Sequence, residues 1–99
     1  MASAPDGFNP ALDEQFQHIQ KTFIAGLAKR ETEIVEAPSR EYFNAELHRL
    51  AGAAGAFGFD ELSQLARSAM ESSYRGDEVQ VHKAIAQLRN AMHMIRGTG

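Results

Sequence analysis

The sequence contains no cysteine, and its three prolines all fall within the first 38 residues. Without cysteine there is no disulfide framework, no thiolate metal site and no thiol nucleophile. Without proline after Pro38, the strongest helix breaker is missing from the rest of the chain. No apolar run approaches the roughly 18–20 residues that cross a bilayer, so no membrane span is expected. The opening Met1-Ala2-Ser3-Ala4-Pro5-Asp6-Gly7 has neither a basic stretch nor an apolar one behind it. That argues against a secretory signal and, with the absent cysteines, for a cytoplasmic protein. Charge of one sign is also lacking. The formal net charge is −3 and the Lys and Arg residues are scattered, so neither nucleic acid nor a membrane surface is expected as a partner.

What is present is one domain's worth of amphipathic chain. Ninety-nine residues, 43% of them hydrophobic and 23% charged, support one core and not two. Residues 1–8 read as a flexible tail, with Met1 and the polar start taken as the beginning of a complete chain, and residues 9–97 as a helical bundle. Asn9 is a good N-cap and Pro10 suits a first helical position. Leu12, Phe16, Ile19, Phe23, Leu27 and Ile34 form one apolar stripe, predicting a first helix that ends near Glu36, before Pro38. A second helix is predicted over 39–57, with Phe43, Leu47, Leu50, Ala54 and Phe57 inward and Gly58 as terminator. A third covers 60–75, with Leu62, Leu65, Ala66, Ala69 and Tyr74 inward and Gly76 ending it. The fourth opens on Asp77-Glu78-Val79-Gln80, which has capping-box spacing, and runs through Val81, Ile85, Leu88, Met92 and Ile95 to Gly97. No segment alternates with a period of two. Four helices and short loops predict an all-α, antiparallel up-down four-helix bundle.

On a helical wheel of the second segment, the core stripe centres on Leu47 and Leu50, and His48 lies about 140° away, facing solvent. Glu41, Asn44, Ala45, Ala51, Gly52 and Gly55 share its face, and four of these are small. Exposed helix faces usually carry Lys, Glu, Gln and Arg, and two interior glycines cost about 2 kcal/mol of helix propensity. Two explanations stay open. The face is kept small so that a bulky partner can approach His48, or Gly52 and Gly55 admit a neighbouring helix, Gly55 also being near a fraying end.

His48-Arg49-Leu50-Ala51-Gly52-Ala53-Ala54, followed by Gly58 and Leu62, resembles the motif His-x-Leu-Lys-Gly-Ser-Ala-x-x-x-Gly-x-x-x-Leu of the histidine-containing phosphotransfer (HPt) family. The match spans approximately residues 40–75, and the helical pattern extends it to most of the chain. The resemblance implies a phosphorelay intermediate. His48 would take a phosphoryl group from a receiver-domain aspartate and pass it to another receiver, with receiver domains or a hybrid histidine kinase as partners. An exposed histidine, partly neutral near pH 7, suits a nucleophile. Glu41, Asn44, Ala45, Arg49, Ala51, Gly52 and Gly55 would then be the docking face. No cofactor of its own is implied; the Mg²⁺ would sit on the receiver. Docking is expected to be transient, through a small interface, and a monomer is the default state. The family's lysine is replaced by Ala51, and the sequence leaves open which basic residue, if any, steadies the phosphoryl group in its place. Arg49 and Arg67 are the first candidates, with Arg75 and Lys21 behind them.

The other histidines, His18, His82 and His93, read as surface or boundary residues. Di-iron bundles use Glu-x-x-His pairs, and none occurs here; Glu14/His18 and Glu78/His82 have the spacing of surface pairs, so no metal site is expected. A sensor kinase's own histidine helix is usually followed by an acidic residue and a proline, which are missing after His48, and there is no Gly-rich nucleotide loop. Phosphorylation from ATP is therefore not expected, and the chain is read as a carrier without enzyme activity of its own. The competing reading is a non-catalytic helical adaptor that binds a signalling partner through the same small-residue face.

Overall fold

The computed structural model describes residues 10–98. The tail assigned to residues 1–8 and the Asn9 cap lie outside the described residues. Five helical segments follow one another: α1 (Pro10–Ala25), α2 (Leu27–Val35), α3 (Arg40–Ala56), α4 (Asp60–Tyr74) and α5 (Glu78–Thr98), with no strand among the described residues. α1 and α2 are the predicted first helix, interrupted for one residue at Gly26, whose N–H is shared between the Thr22 and Phe23 carbonyls at 3.2 and 3.1 Å. Counted as one bent helix, they complete the expected four-helix bundle.

The termini follow local chemistry. Ser39 Oγ accepts from Tyr42 N–H at 3.1 Å and starts α3. Asp77 Oδ1 accepts from Gln80 N–H at 3.1 Å and starts α5. Gly58 and Gly76 adopt φ of 86° and 71°, a region that disfavours side chains. At each the chain closes with a paired bond across the helix end: Phe59 N–H to Ala54 O with Gly58 N–H to Gly55 O, and Asp77 N–H to Ser72 O with Gly76 N–H to Ser73 O. α4 therefore ends one residue before the expected Arg75. Gly97 does not close α5, which continues to Thr98.

Leu27, Ile34, Leu47, Leu50, Leu62, Leu88 and Met92 are fully buried and form the centre of the core. Leu65, Ile85 and Ile95 pack half-buried at its edge. Two expectations fail. Tyr74, placed inward by the pattern, is 70% exposed because it ends α4 on its α3-facing edge. Leu12, Phe16 and Ile19, expected in the core stripe, are 60%, 41% and 43% exposed. The stripe is real, but α1 is anchored to the bundle only further along: Gln20 Nε2 donates to Phe57 O at 2.7 Å, and the Phe23 ring packs against Phe57 and stacks on Phe59. Residues before Gln20 run past the end of the bundle, and the molecule is long for its width, 58 × 22 × 20 Å.

Polar ties fix the helices at both ends. Arg40 Nη2 donates to both Glu78 oxygens at 2.7 and 2.8 Å and lies over the Phe43 ring, joining α3 to α5. Glu31 of α2 is buried, and two arginines and a histidine of α5 converge on it: Arg89 at 2.7 Å, His93 at 3.5 Å and Arg96 at 3.7 Å. Burial alone would raise the Glu31 pKa, but the Arg89 hydrogen bond and the charges of His93 and Arg89 outweigh it and hold the carboxyl below its usual range. A depressed folded-state pKa contributes stability at neutral pH that is lost as pH falls through that folded value. Glu31→Gln should therefore cost about 1–2 kcal/mol at pH 7. The gap to the wild type should narrow as pH falls below the ordinary carboxylate range and through the lowered folded value. Thermal melts of both proteins across that range check this; a constant gap would show that the charge of Glu31 is not what ties α2 to α5.

Candidate functional site

His48 is exposed, eight residues into α3, while its neighbours Leu47 and Leu50 are fully buried. The helix is capped at both ends and packed along one side, so the imidazole stands on a rigid support. Glu41, Asn44, Ala45 and His48 of α3, with Tyr74 of α4, line one shallow depression. Three of the predicted face residues are thus brought beside His48. Tyr74 is the one that the sequence reading missed. Ser63, Arg67, Met70 and Tyr74 recur at four- and three-residue steps along α4. That stripe, matched to the register of α3, was the signal that could have found it. Asn44 has its amide oxygen buried with no hydrogen-bond partner among the described residues.

The two glycines of the face part company. A Cβ built on Gly55 would come 3.3 Å from Ser63 Oγ, so Gly55 admits α4 and belongs to packing. A Cβ built on Gly52 would meet nothing within 4 Å, and the residue is exposed. No internal contact asks for a glycine there.

Two other expected face residues are placed elsewhere. Ala51 is only 3% exposed, because α4 comes in close enough for Ser63 Oγ to donate to Ala51 O at 2.8 Å. It forms part of the floor between the helices and not of an open docking surface. Arg49 is exposed but turned the other way: it pairs with Glu46 and, with Gly26, Lys29, Arg30, Glu33 and Tyr42, lines a separate hollow between α2 and α3. The short reach to the i−3 carboxylate holds it on that side. Of the remaining basic candidates, Arg75 pairs with Glu71 at 3.0 Å. Arg67 makes no ion pair among the described residues. It stands on the α4 stripe between Ser63, which touches α3, and Tyr74, which borders the His48 depression. Lys21 belongs to α1, next to the Gln20 that bonds Phe57 O. Among the described residues no group of three His, Cys, Asp or Glu side chains is gathered to hold a metal ion, and no helix is long and apolar enough to cross a membrane.

A four-helix bundle displaying one histidine from the middle of an inner helix, over a face kept short, has the layout of a phosphoryl-carrier module. The chain belongs to the histidine-containing phosphotransfer family: residues 10–98 match the Hpt domain. Its general role is therefore histidine phosphotransfer in a phosphorelay. Comparison with curated proteins and with solved structures found no match.

The contrast between the glycines is measurable. Gly52→Ala should stabilise the bundle by about 0.5–1 kcal/mol, the usual gain for an unconstrained helix glycine. Gly55→Ala should gain less or lose, since the methyl presses on Ser63. Denaturant unfolding of the two variants decides; equal gains would mean that Gly55 does not set the α3–α4 spacing.

Proposed function

We propose that His48 accepts a phosphoryl group from the aspartyl phosphate of a receiver domain and passes it to the aspartate of another, in the cytoplasm. The observation that carries this reading is an exposed histidine on a rigid helix, beside a glycine that no internal contact requires. An unfilled position one turn from the imidazole lowers the surface where a receiver's acyl phosphate must approach.

In the forward step the lone pair of the neutral imidazole, at Nε2, attacks phosphorus. An N–P bond forms, the acyl P–O bond breaks, and the receiver's aspartate leaves as a carboxylate. The second receiver's carboxylate reverses these steps. Phosphoryl transfer is catalysed chiefly by positioning and by charge stabilisation. The receiver supplies Mg²⁺ and most of the charge, and this module supplies the nucleophile and its placement. It is a carrier; ATP is not its donor. Glu41, Asn44, Ala45, Gly52 and Tyr74 form the contact surface around His48. Arg67 is the basic group closest in role to the family's lysine, because Ala51 carries no charge and Arg49 and Arg75 are paired elsewhere.

Incubation with a phosphorylated receiver tests the assignment. Label should pass to this chain, be lost in acid, survive base and disappear in His48→Gln; a labelled His48→Gln would refute it. Gly52→Gln should leave the melting temperature at or above that of the wild type and slow transfer at least tenfold. Unchanged transfer would remove Gly52 from the docking surface. Arg67→Gln should shorten the lifetime of the phosphorylated form without preventing its formation, read from label decay after the receiver is removed.

A further inference from the structure

Asn44 carries an unmet hydrogen-bonding demand beside the nucleophile. Its Oδ1 is buried and has no partner among the described residues. A buried acceptor left unpaired is costly, so such an atom calls for a donor. None comes from α4. Ser63 donates to Ala51 O and Arg40 reaches Ser73, so the two helices run antiparallel in a fixed register. Asn44 lies seven residues before Ala51 and Met70 seven after Ser63, two turns along each helix, which sets Met70 across from Asn44. A thioether has no proton to donate. Within the His48 depression, Ala45 has no polar side chain, Glu41 offers acceptors and Tyr74 is 70% exposed. The remaining lining group is the His48 imidazole, whose ring nitrogens make no hydrogen bond among the described residues.

We propose that Asn44 is a positioning residue for His48: its Oδ1 accepts the Nδ1–H proton and holds the ring in the tautomer that leaves Nε2 free to attack phosphorus. Side chains on a helix lean towards its N-terminus, so the imidazole of His48 lies over the preceding turn, where Asn44 stands four residues earlier. Cβ atoms at that spacing are about 5–6 Å apart, within reach of one hydrogen bond between an amide and a ring nitrogen. Glu14 and Glu78 stand at the same spacing before His18 and His82, but both are exposed, and Glu78 is already held by Arg40. Burial, not spacing, singles out Asn44.

A neutral imidazole has one N–H and one free lone pair, and the hydrogen bond made by one nitrogen fixes what the other can do. With the proton on Nε2, that nitrogen has no lone pair to offer phosphorus; with the proton on Nδ1, it has. The role rests on the phosphotransfer reading of His48. As the N–P bond forms and the acyl P–O bond breaks, positive charge spreads over the ring to Nδ1–H. The Asn44 oxygen stabilises that charge while the proton stays on Nδ1. Asn44 thus acts through the ring alone, without touching the phosphoryl group.

Imidazole ¹⁵N spectra of the full chain at about pH 8.5, above the ordinary histidine range, test this. The His48 signals are assigned by their loss in His48→Gln. In the wild type they should show mainly the Nδ1–H form. In Asn44→Ala the ratio should move about fivefold or more towards Nε2–H, the effect of one hydrogen bond to a buried acceptor. Asn44→Asp, which keeps an acceptor, should retain the Nδ1–H form. Transfer from a saturating phosphorylated receiver at the same pH should slow by the same factor in Asn44→Ala and not in Asn44→Asp. A wild type that shows mainly Nε2–H, or a ratio unchanged in Asn44→Ala, overturns the proposal. So does an Asn44→Ala variant that binds the receiver more weakly but transfers at the wild-type rate once saturated. The spectra need no partner, so the Nδ1–H form in a chain that takes no label would uphold the contact and overturn the relay reading instead.

Discussion

The bond from Ser63 Oγ to Ala51 O, lying over the missing side chain of Gly55, sets how near α4 comes to α3. Much of the site follows from that approach. A helix carbonyl already bonded within its own helix accepts a second donor here, and the buried hydroxyl is satisfied without water. With α4 so close, the position one turn after His48 is closed over and Ala51 fits where a longer side chain would have to thread outward. The same proximity brings Tyr74, at the end of α4, alongside the His48 depression. The face around the histidine is thus made by two helices, and its shape is fixed by a contact several residues away.

Periodicity was a reliable guide wherever a helix had a partner to bury its stripe against. Leu47, Leu50, Leu62, Leu88 and Met92 are buried as their spacing implied, and the glycines Gly58 and Gly76 and the capping spacing at Asp77 mark real ends. The pattern was silent on where a stripe stops being covered. Leu12, Phe16 and Ile19 obey the same spacing as Phe23, and only the register of α1 against the Phe57–Phe59 corner separates exposed from buried. The face of His48 was legible from one helix alone. Its membership was not, because Ala51, Gly55 and Tyr74 are sorted by α4. Ala51 and Gly52 are adjacent and small but lie on opposite flanks of His48; Ala51, on the flank nearer Leu47 and Leu50, is buried, and Gly52 is open.

The distribution of charge explains why the missing lysine is not replaced from α3 itself. Most of the chain's arginines are engaged in holding helices together or in local pairs: Arg40 with Glu78, Arg89 and Arg96 with Glu31, Arg49 with Glu46, and Arg75 with Glu71. A guanidinium held by a carboxylate presents a nearly cancelled field to a third charge, and moving it would leave Glu46 or Glu31, both buried, without a counter-ion. Arg67 has no such tie among the described residues and lies on the same stripe of α4 as Ser63 and Tyr74. A cation there differs physically from a lysine one turn after the histidine. In the role proposed for it, Arg67 would meet the phosphoryl oxygens from the neighbouring helix, with a planar fork in place of a point charge, and its approach would depend on the α3–α4 spacing. On that proposal, stabilisation of the phosphorylated form would be sensitive to the Ser63–Ala51 contact, so that packing between two helices, and not the sequence of the histidine helix alone, would govern how long the group is held.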